Sequence, residues 1–202
     1  MVNTEFMQSV IDLEKPAGTS YSVIKNTMIY IARNIFAGNA IQAGFDRVFW
    51  MDSDMSFPPD ALVKLSQVMD DTGADLVTGL YFTRKPPIKP VVYDSLWWKP
   101  HEKGIDAGAY NMWAYPDNDI AKIKSCGFGC CLTSVDLIKR IGDKFGSPFT
   151  PLDGLGEDMA FCLRANELGA TMLVDTSVKC GHIGYMEYNE IYYRKQGKPN
   201  ES

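Results

Sequence analysis

Apolar and polar positions alternate along the chain in blocks that read in turn as helices and strands. Residues 6–13 have the spacing of a short helix, and 15–20, with Pro16 and Gly18, form a turn before a candidate strand at 21–24. From 27 to 43 the period is helical, with Met28, Ile31, Ile35 and Ala43 as the expected inward face and Gly44 as the stop. The run Arg-Val-Phe-Trp-Met at 47–51 predicts a strand buried on both faces. Ser56, Pro58, Pro59 and Asp60 open a helix that reaches Asp71, with Leu62, Leu65 and Met69 inward and Gly73 beyond its end. A strand follows at 75–82.

The next stretch, 83–119, is dense in proline, tryptophan and tyrosine and shows no period, which predicts a long loop. Residues 120–124 and 130–133 are short strand candidates on either side of Gly127 and Gly129. Helices are expected at 135–141 and 157–168, the second stopped by Gly169, and a last strand at 171–175. Strands alternating with helices predict an α/β fold, one domain over 1–202, with a mainly parallel sheet.

Composition narrows the function classes. With 202 residues, 46% hydrophobic and 22% charged, the chain has the make-up of an ordinary globular domain with a real core. It has no uninterrupted run of 18 apolar residues, and its first ten residues lack a basic segment followed by an apolar one. No membrane span, no secretion signal and a cytoplasmic setting are therefore expected. The net charge of −5, with no Lys/Arg run longer than two, argues against a nucleic-acid backbone as partner. Five cysteines (Cys126, Cys130, Cys131, Cys162 and Cys180) without a C-x-x-C pair fit reduced, buried thiols. A zinc site from Cys126, Cys130, Cys180 and His182 is the alternative, disfavoured because structural zinc uses closely spaced ligand pairs.

Candidate chemistry begins at Asp52-Ser53-Asp54. Side chains two apart in extended chain point the same way, so both carboxylates are expected to face one point just past the carboxyl end of a strand. Open α/β sheets place ligands there, and hard oxygen donors suit Mg²⁺ or Mn²⁺, which bridge phosphate oxygens. A solvated loop with a helix cap is the plain alternative for such a short triplet.

Three motifs in order carry a family resemblance. Ile31-Ala32-Arg33-Asn34 with Phe49-Trp50-Met51-Asp52-Ser53-Asp54-Met55, then Gly156-Glu157-Asp158-Met159-Ala160-Phe161, then Cys180-Gly181-His182, resemble glycosyltransferases of the GT-A fold, and particularly the inverting family 2. The likeness spans roughly Arg33 to His182. It implies a Rossmann-like nucleotide-diphospho-sugar transferase domain with a D-x-D motif. Its donor would be a nucleotide-diphosphate sugar, UDP- rather than GDP-linked, and its acceptor a hydroxyl on a glycan, lipid-linked or protein substrate.

By the same resemblance, Asp52, Asp54 and His182 hold the metal, Mn²⁺ or Mg²⁺, on the donor diphosphate, and Asp52 and Arg33 reach the nucleotide. Asp158 accepts the acceptor's proton, and Glu157 touches the acceptor or supports the site. Gly127 and Gly129 flank the sugar pocket. Plainer readings stand beside these: Arg33 as a surface charge, Glu157 and Asp158 as acids matched to a helix start, the glycines as turn residues, and His182 as a packed ring. Trp97, Trp98, Trp113 and Tyr115 are candidates for an aromatic wall against a sugar or for apolar cover of the sheet.

One departure from the family pattern is visible. No strand-like apolar run precedes Phe6, so the fold's usual first strand is expected to be missing. That leaves open a truncated or degenerate domain that binds nucleotide or sugar without turnover, a related nucleotidyltransferase, and a homo-oligomer in which another copy supplies a strand.

Overall fold

The computed structural model describes residues 3–184 and 187–196. Helix α1 (Thr4–Asp12) starts at Asn3, whose side chain accepts a hydrogen bond from the Glu5 amide. Residues 21–24, expected as a strand, form no element, and Val23 and Tyr21 are largely exposed. Without a neighbouring strand edge, the short apolar run has nothing to pair with.

Helix α2 (Ile29–Ala43) ends at Gly44, whose left-handed φ of 72° lets its amide reach back to the last turn. Its inward face is not the one the periodicity predicts. Ala32, Arg33, Ala37 and Ala40 are buried, whereas Met28, Ile31 and Ile35 are exposed. Small residues win the inner face because they let the helix lie close against its neighbours.

Strand β1 (Arg47–Met51) runs into a turn and the two-residue β2 (Met55–Ser56). Helix α3 (Ala61–Thr72) follows, with Leu62, Leu65 and Met69 buried as expected, then β3 (Leu76–Leu80). The stretch expected as a loop contains a long hairpin, β4 (Val92–His101) and β5 (Gly104–Asn111), then β6 (Ile120–Lys122) and β7 (Ser125–Cys126). Strand β8 (Cys130–Ser134), α4 (Val135–Phe145) and α5 (Glu157–Glu167) precede the eight-residue β9 (Met172–Lys179). Short strands β10 (Gly181–Ile183) and β11 (Glu187–Tyr188) and helix α6 (Glu190–Gln196) complete the described order.

The fold class holds: this is a mixed α/β domain. The expected parallel pairing does not. The five-stranded sheet has the order β1-β8-β3-β9-β6, and only β3 and β9 pair in parallel. Strands β1, β3 and β9 do point one way. Between β3 and β8, however, the chain passes through the hairpin and short strands instead of a returning helix. It therefore re-enters the sheet from the end where β1 stops, with Cys130 opposite Met51. A parallel pairing would need a crossover back along the sheet. Strand β1 is consequently an edge strand, with β8 on one side only, and of its residues Trp50 alone is fully buried. No strand among the described residues takes the place of the expected missing first one.

Alternate residues of the sheet feed two cores, as the pleat requires. On one face Trp50, Leu76, Leu80, Cys131 and Val174 pack with α4, α5 and Ala37 of α2. On the other, Val77, Leu132 and Leu173 pack with α3, Leu13, Met55 and Phe57. Phe128, Phe149 and Phe161 interlock, with Phe149 and Phe161 stacked at 4.6 Å and Phe128 edge-on to both. Among the described residues, no helix is long and apolar enough to cross a membrane.

Candidate functional site

The site lies where β1 stops. Asp52 leaves the sheet with its amide bonded to the Gly129 carbonyl, and the Met55 amide closes a turn on the Asp52 carbonyl. The two carboxylates are therefore presented from a turn, not from the extended chain that the sequence implied. Strand β10 pairs with β2 so that His182 sits opposite Met55, and the Ile183 amide donates to the Asp54 carbonyl at 2.7 Å. This register brings His182 beside Asp54 although 127 residues separate them in sequence.

All the charged residues singled out by sequence meet in one cleft of about 630 Å³, within the range of small-molecule sites. Arg33, Asp52, Asp54, Glu157, Asp158 and His182 line it. Arg33, 4% exposed, spans two motifs: it donates to Asp52 at 3.0 Å and to Glu157 at 3.3 Å. Its guanidinium also lies 5.3 Å from the Phe128 ring and 5.8 Å from the Trp50 ring. Arg33 is thus a buried charge and not a surface one, and it ties the end of β1 to the start of α5. Glu157 accepts from Arg33 and lines the same cleft.

Electrostatics separate the carboxylates. Burial raises the pKa of Asp52, offset in part by Arg33 and reinforced by Asp54 and Glu157. Asp54 is lowered, first by its hydrogen bond with His182 and then by the charges of His182 and Arg84, against an opposing effect of burial. Burial and the neighbouring Glu157 push Asp158 up to about 6, although its carboxylate accepts the Met159 amide at the helix start.

His182 has a defined orientation. Its Nδ1 lies 2.8 Å from the Phe82 carbonyl oxygen, so Nδ1 carries the proton and donates it there. Nε2 then points at Asp54 Oδ2, 3.5 Å away. A ring nitrogen and a carboxylate oxygen turned toward each other need a cation, either a proton or a metal ion, and the carbonyl-anchored imidazole is the usual arrangement of a metal-ligating histidine. Tyr81 meets His182 edge-on at 5.6 Å. Its phenol is buried, pushed well above its ordinary pKa by that burial, and accepts the Gly129 amide. Among the described residues, no three of His, Cys, Asp and Glu form a ready-made metal cluster.

Gly127 and Gly129 have a packing reason. A Cβ on Gly127 would fall 2.0 Å from the Tyr81 hydroxyl, and one on Gly129 3.0 Å from the Met55 sulfur. They seat Tyr81, which lines the cleft together with Phe128 between them. The cysteines are buried and free, in two groups: Cys126 with Cys131 and Cys162, and Cys130 with Cys180. The four-ligand zinc alternative is therefore not assembled. Trp113 and Tyr115 pack against the core, and Trp98 donates to the Asp153 carbonyl, pinning the hairpin to the loop before α5. Trp97 covers Gly108 and leans on Tyr110.

The cleft's accessible cations are ones that no motif marks: Arg84, Lys85 and Lys89, on the loop after β3. The loop closes on itself through Thr83, whose amide donates to the Lys89 carbonyl and whose hydroxyl accepts the Lys89 amide. Arg84 donates to Asp54 at 2.8 Å and to the Ile183 carbonyl at 3.3 Å. Three basic residues within six positions were the available signal; their placement depends on where β3 ends.

No protein-family model matches this sequence, and no curated protein matches it. Solved structures do resemble the fold. A197 from STIV aligns over 89% of this chain and 77% of its own, with a TM-score of 0.59 and 16% identity. GalNAc-T7, in a crystal structure with UDP, GalNAc and Mn²⁺, aligns over 77% of this chain and 30% of its own, with a TM-score of 0.52 and 12% identity. The likeness shows a mixed α/β fold similar to those of these two structures.

Proposed function

We propose that the protein is a metal-dependent glycosyltransferase that passes a sugar from a nucleotide-diphosphate donor, preferentially UDP-linked, to an acceptor hydroxyl with inversion. The observation that carries this reading is the convergence of Asp52, Asp54, His182 and Asp158 in one cleft, faced by Arg84, Lys85 and Lys89. The GT-A resemblance of the three motifs supports it, as does the fold shared with a GalNAc-T7 structure that holds UDP, GalNAc and Mn²⁺.

The side chains fit a divalent cation. Asp54 Oδ2 and Nε2 of His182 face each other, Asp52 lines the same cleft, and oxygen donors with one imidazole nitrogen, free to ligate once its proton leaves, suit Mn²⁺ or Mg²⁺. Such an ion, when bound, offsets negative charge on the departing diphosphate, so no protein acid is required there. Asp158 takes the acceptor's proton. The acceptor oxygen bonds to the anomeric carbon as the bond from that carbon to the diphosphate oxygen breaks, and the electron pair leaves with the nucleoside diphosphate. Attack opposite the leaving group inverts the centre. A pKa of about 6 leaves Asp158 ionised at neutral pH yet more basic than an ordinary aspartate, which suits a general base. Arg33 keeps Asp52 and Glu157 in register with it.

The deciding experiment pairs two variants with calorimetry and a transfer assay using UDP-sugars and Mn²⁺. Asp158→Asn is expected to bind donor nearly as wild type does while transfer falls roughly 10²-fold or more. Asp54→Ala is expected to abolish metal-dependent donor binding. Donor binding by the wild type without transfer to any hydroxyl acceptor or water would instead establish a non-catalytic binding domain.

A further inference from the structure

We infer that Arg84 competes with the metal ion for Asp54: its guanidinium holds the carboxylate and exchanges it for phosphate oxygens when a nucleotide diphosphate enters. This rests on reading the cleft as a nucleotide-diphosphate site, and adds a residue that acts on both metal and donor.

The contacts define the exchange. Arg84 Nη1 and His182 Nε2 approach the same atom, Asp54 Oδ2, at 2.8 and 3.5 Å. A divalent ion bound to that oxygen sits at about 2.0–2.2 Å from it. A guanidinium 2.8 Å from the same oxygen would then face the ion as a like charge, so the two cannot both keep their best position. Arg84 has somewhere to go. Its side chain is 45% exposed, it springs from a surface loop, and its remaining partner is the Ile183 carbonyl. Exposed ion pairs of this kind are weakly held.

A planar guanidinium also matches phosphate oxygens two at a time, better than it matches one shared carboxylate oxygen. Lys85 and Lys89 line the same cleft and add positive charge on that side. The carboxylate side, by contrast, already has its cation in the buried Arg33. An incoming diphosphate therefore finds its free positive charge on the loop at 83–89.

Competition and recruitment predict effects of opposite sign. Titration calorimetry with Mn²⁺ alone, and then with UDP at saturating Mn²⁺, would compare wild type, Arg84→Gln and Arg84→Lys. Arg84→Gln is expected to bind Mn²⁺ alone several-fold more tightly, and UDP in the presence of Mn²⁺ roughly tenfold or more weakly, the scale of a lost charge-assisted hydrogen bond. Arg84→Lys, which keeps the charge but not the planar fork, should fall between wild type and Arg84→Gln on UDP. Far-UV circular dichroism confirms that each variant is folded. Changes of the same sign in the two titrations, or no change in either, overturn the inference while leaving the transferase reading intact. Failure of every form to bind Mn²⁺ or UDP overturns both.

Discussion

The two walls of the cleft use the same charged groups in opposite ways. On the inner wall Arg33 is buried, Asp52 and Asp158 are pushed up in pKa by burial, and Glu157 is locked to the arginine. On the outer wall Arg84 is 45% exposed, and Asp54 is pulled down by His182 and Arg84. Asp52 and Asp54 are two residues apart, so the contrast comes from surroundings and not from residue type. Asp158, held above its ordinary pKa, is suited to take a proton, Asp54, held below it, to remain an anion and attract a cation, and Asp52 keeps Arg33 as its own cation.

The largest expected effect that breaks this contrast is on stability. Arg33→Met removes the buried cation and strands two carboxylates on the cleft floor, which should cost about 3–5 kcal/mol in urea unfolding. The matching change on the outer wall, Arg84→Gln, should cost less than about 1 kcal/mol because water and ions replace the lost pair. Equal losses would mean that the walls do not differ.

Next in size is the pH dependence of Asp158. Its folded pKa, about 6, lies above the ordinary 3.8, so the folded state carries a penalty while the group is ionised. The penalty is full above about pH 6 and is relieved as the pH falls toward 4. Asp158→Asn should therefore be more stable than wild type at pH 7.5, by up to about 3 kcal/mol, with the difference vanishing near pH 4. In the wild type, transfer should fall as the pH drops below 6 and the base becomes protonated.

The smallest effect belongs to Asp54. Its folded pKa is lowered, so its contribution is complete above the ordinary carboxylate range and is lost only as the pH falls below it. Asp54→Asn should change stability at neutral pH by less than about 1 kcal/mol, and added salt should shrink that difference further. Thermal melts at low and high salt would measure it. A large effect would place Asp54 in the folding framework rather than on the cleft's open side.

Legibility in the sequence followed periodicity. Helix α3, with its proline-marked start and glycine stop, could be read almost residue by residue, and β1 and β3 could be located from apolar runs. The inner face of α2 could not, because alanines carry little apolar signal and the strongest apolar residues, Ile31 and Ile35, lie outside. The β4–β5 hairpin was hidden for a related reason: its residues are mostly half-exposed, so no face is cleanly apolar. Sheet direction was misread because the helices after β8 suggest the same alternation as elsewhere, whereas no helix lies between β3 and β8 and the strands there bring β8 in from the opposite end. In the site, the acidic pairs and His182 stood out as motifs. Arg84 did not, since its meaning comes from the pairing of β2 with β10, a contact across more than a hundred residues.

The seat of Tyr81 has a consequence beyond packing. Its hydroxyl occupies the space that a methyl group on residue 127 would fill, and its ring meets the imidazole edge-on. An alanine at position 127 would have to evict the phenol, and the imidazole would lose the flank that steadies its tilt. The smallest residue beside one strand terminus thereby governs the aim of a nitrogen on another, and a substitution that adds no charge and lies outside the acidic motifs would still shift the imidazole beside Asp54.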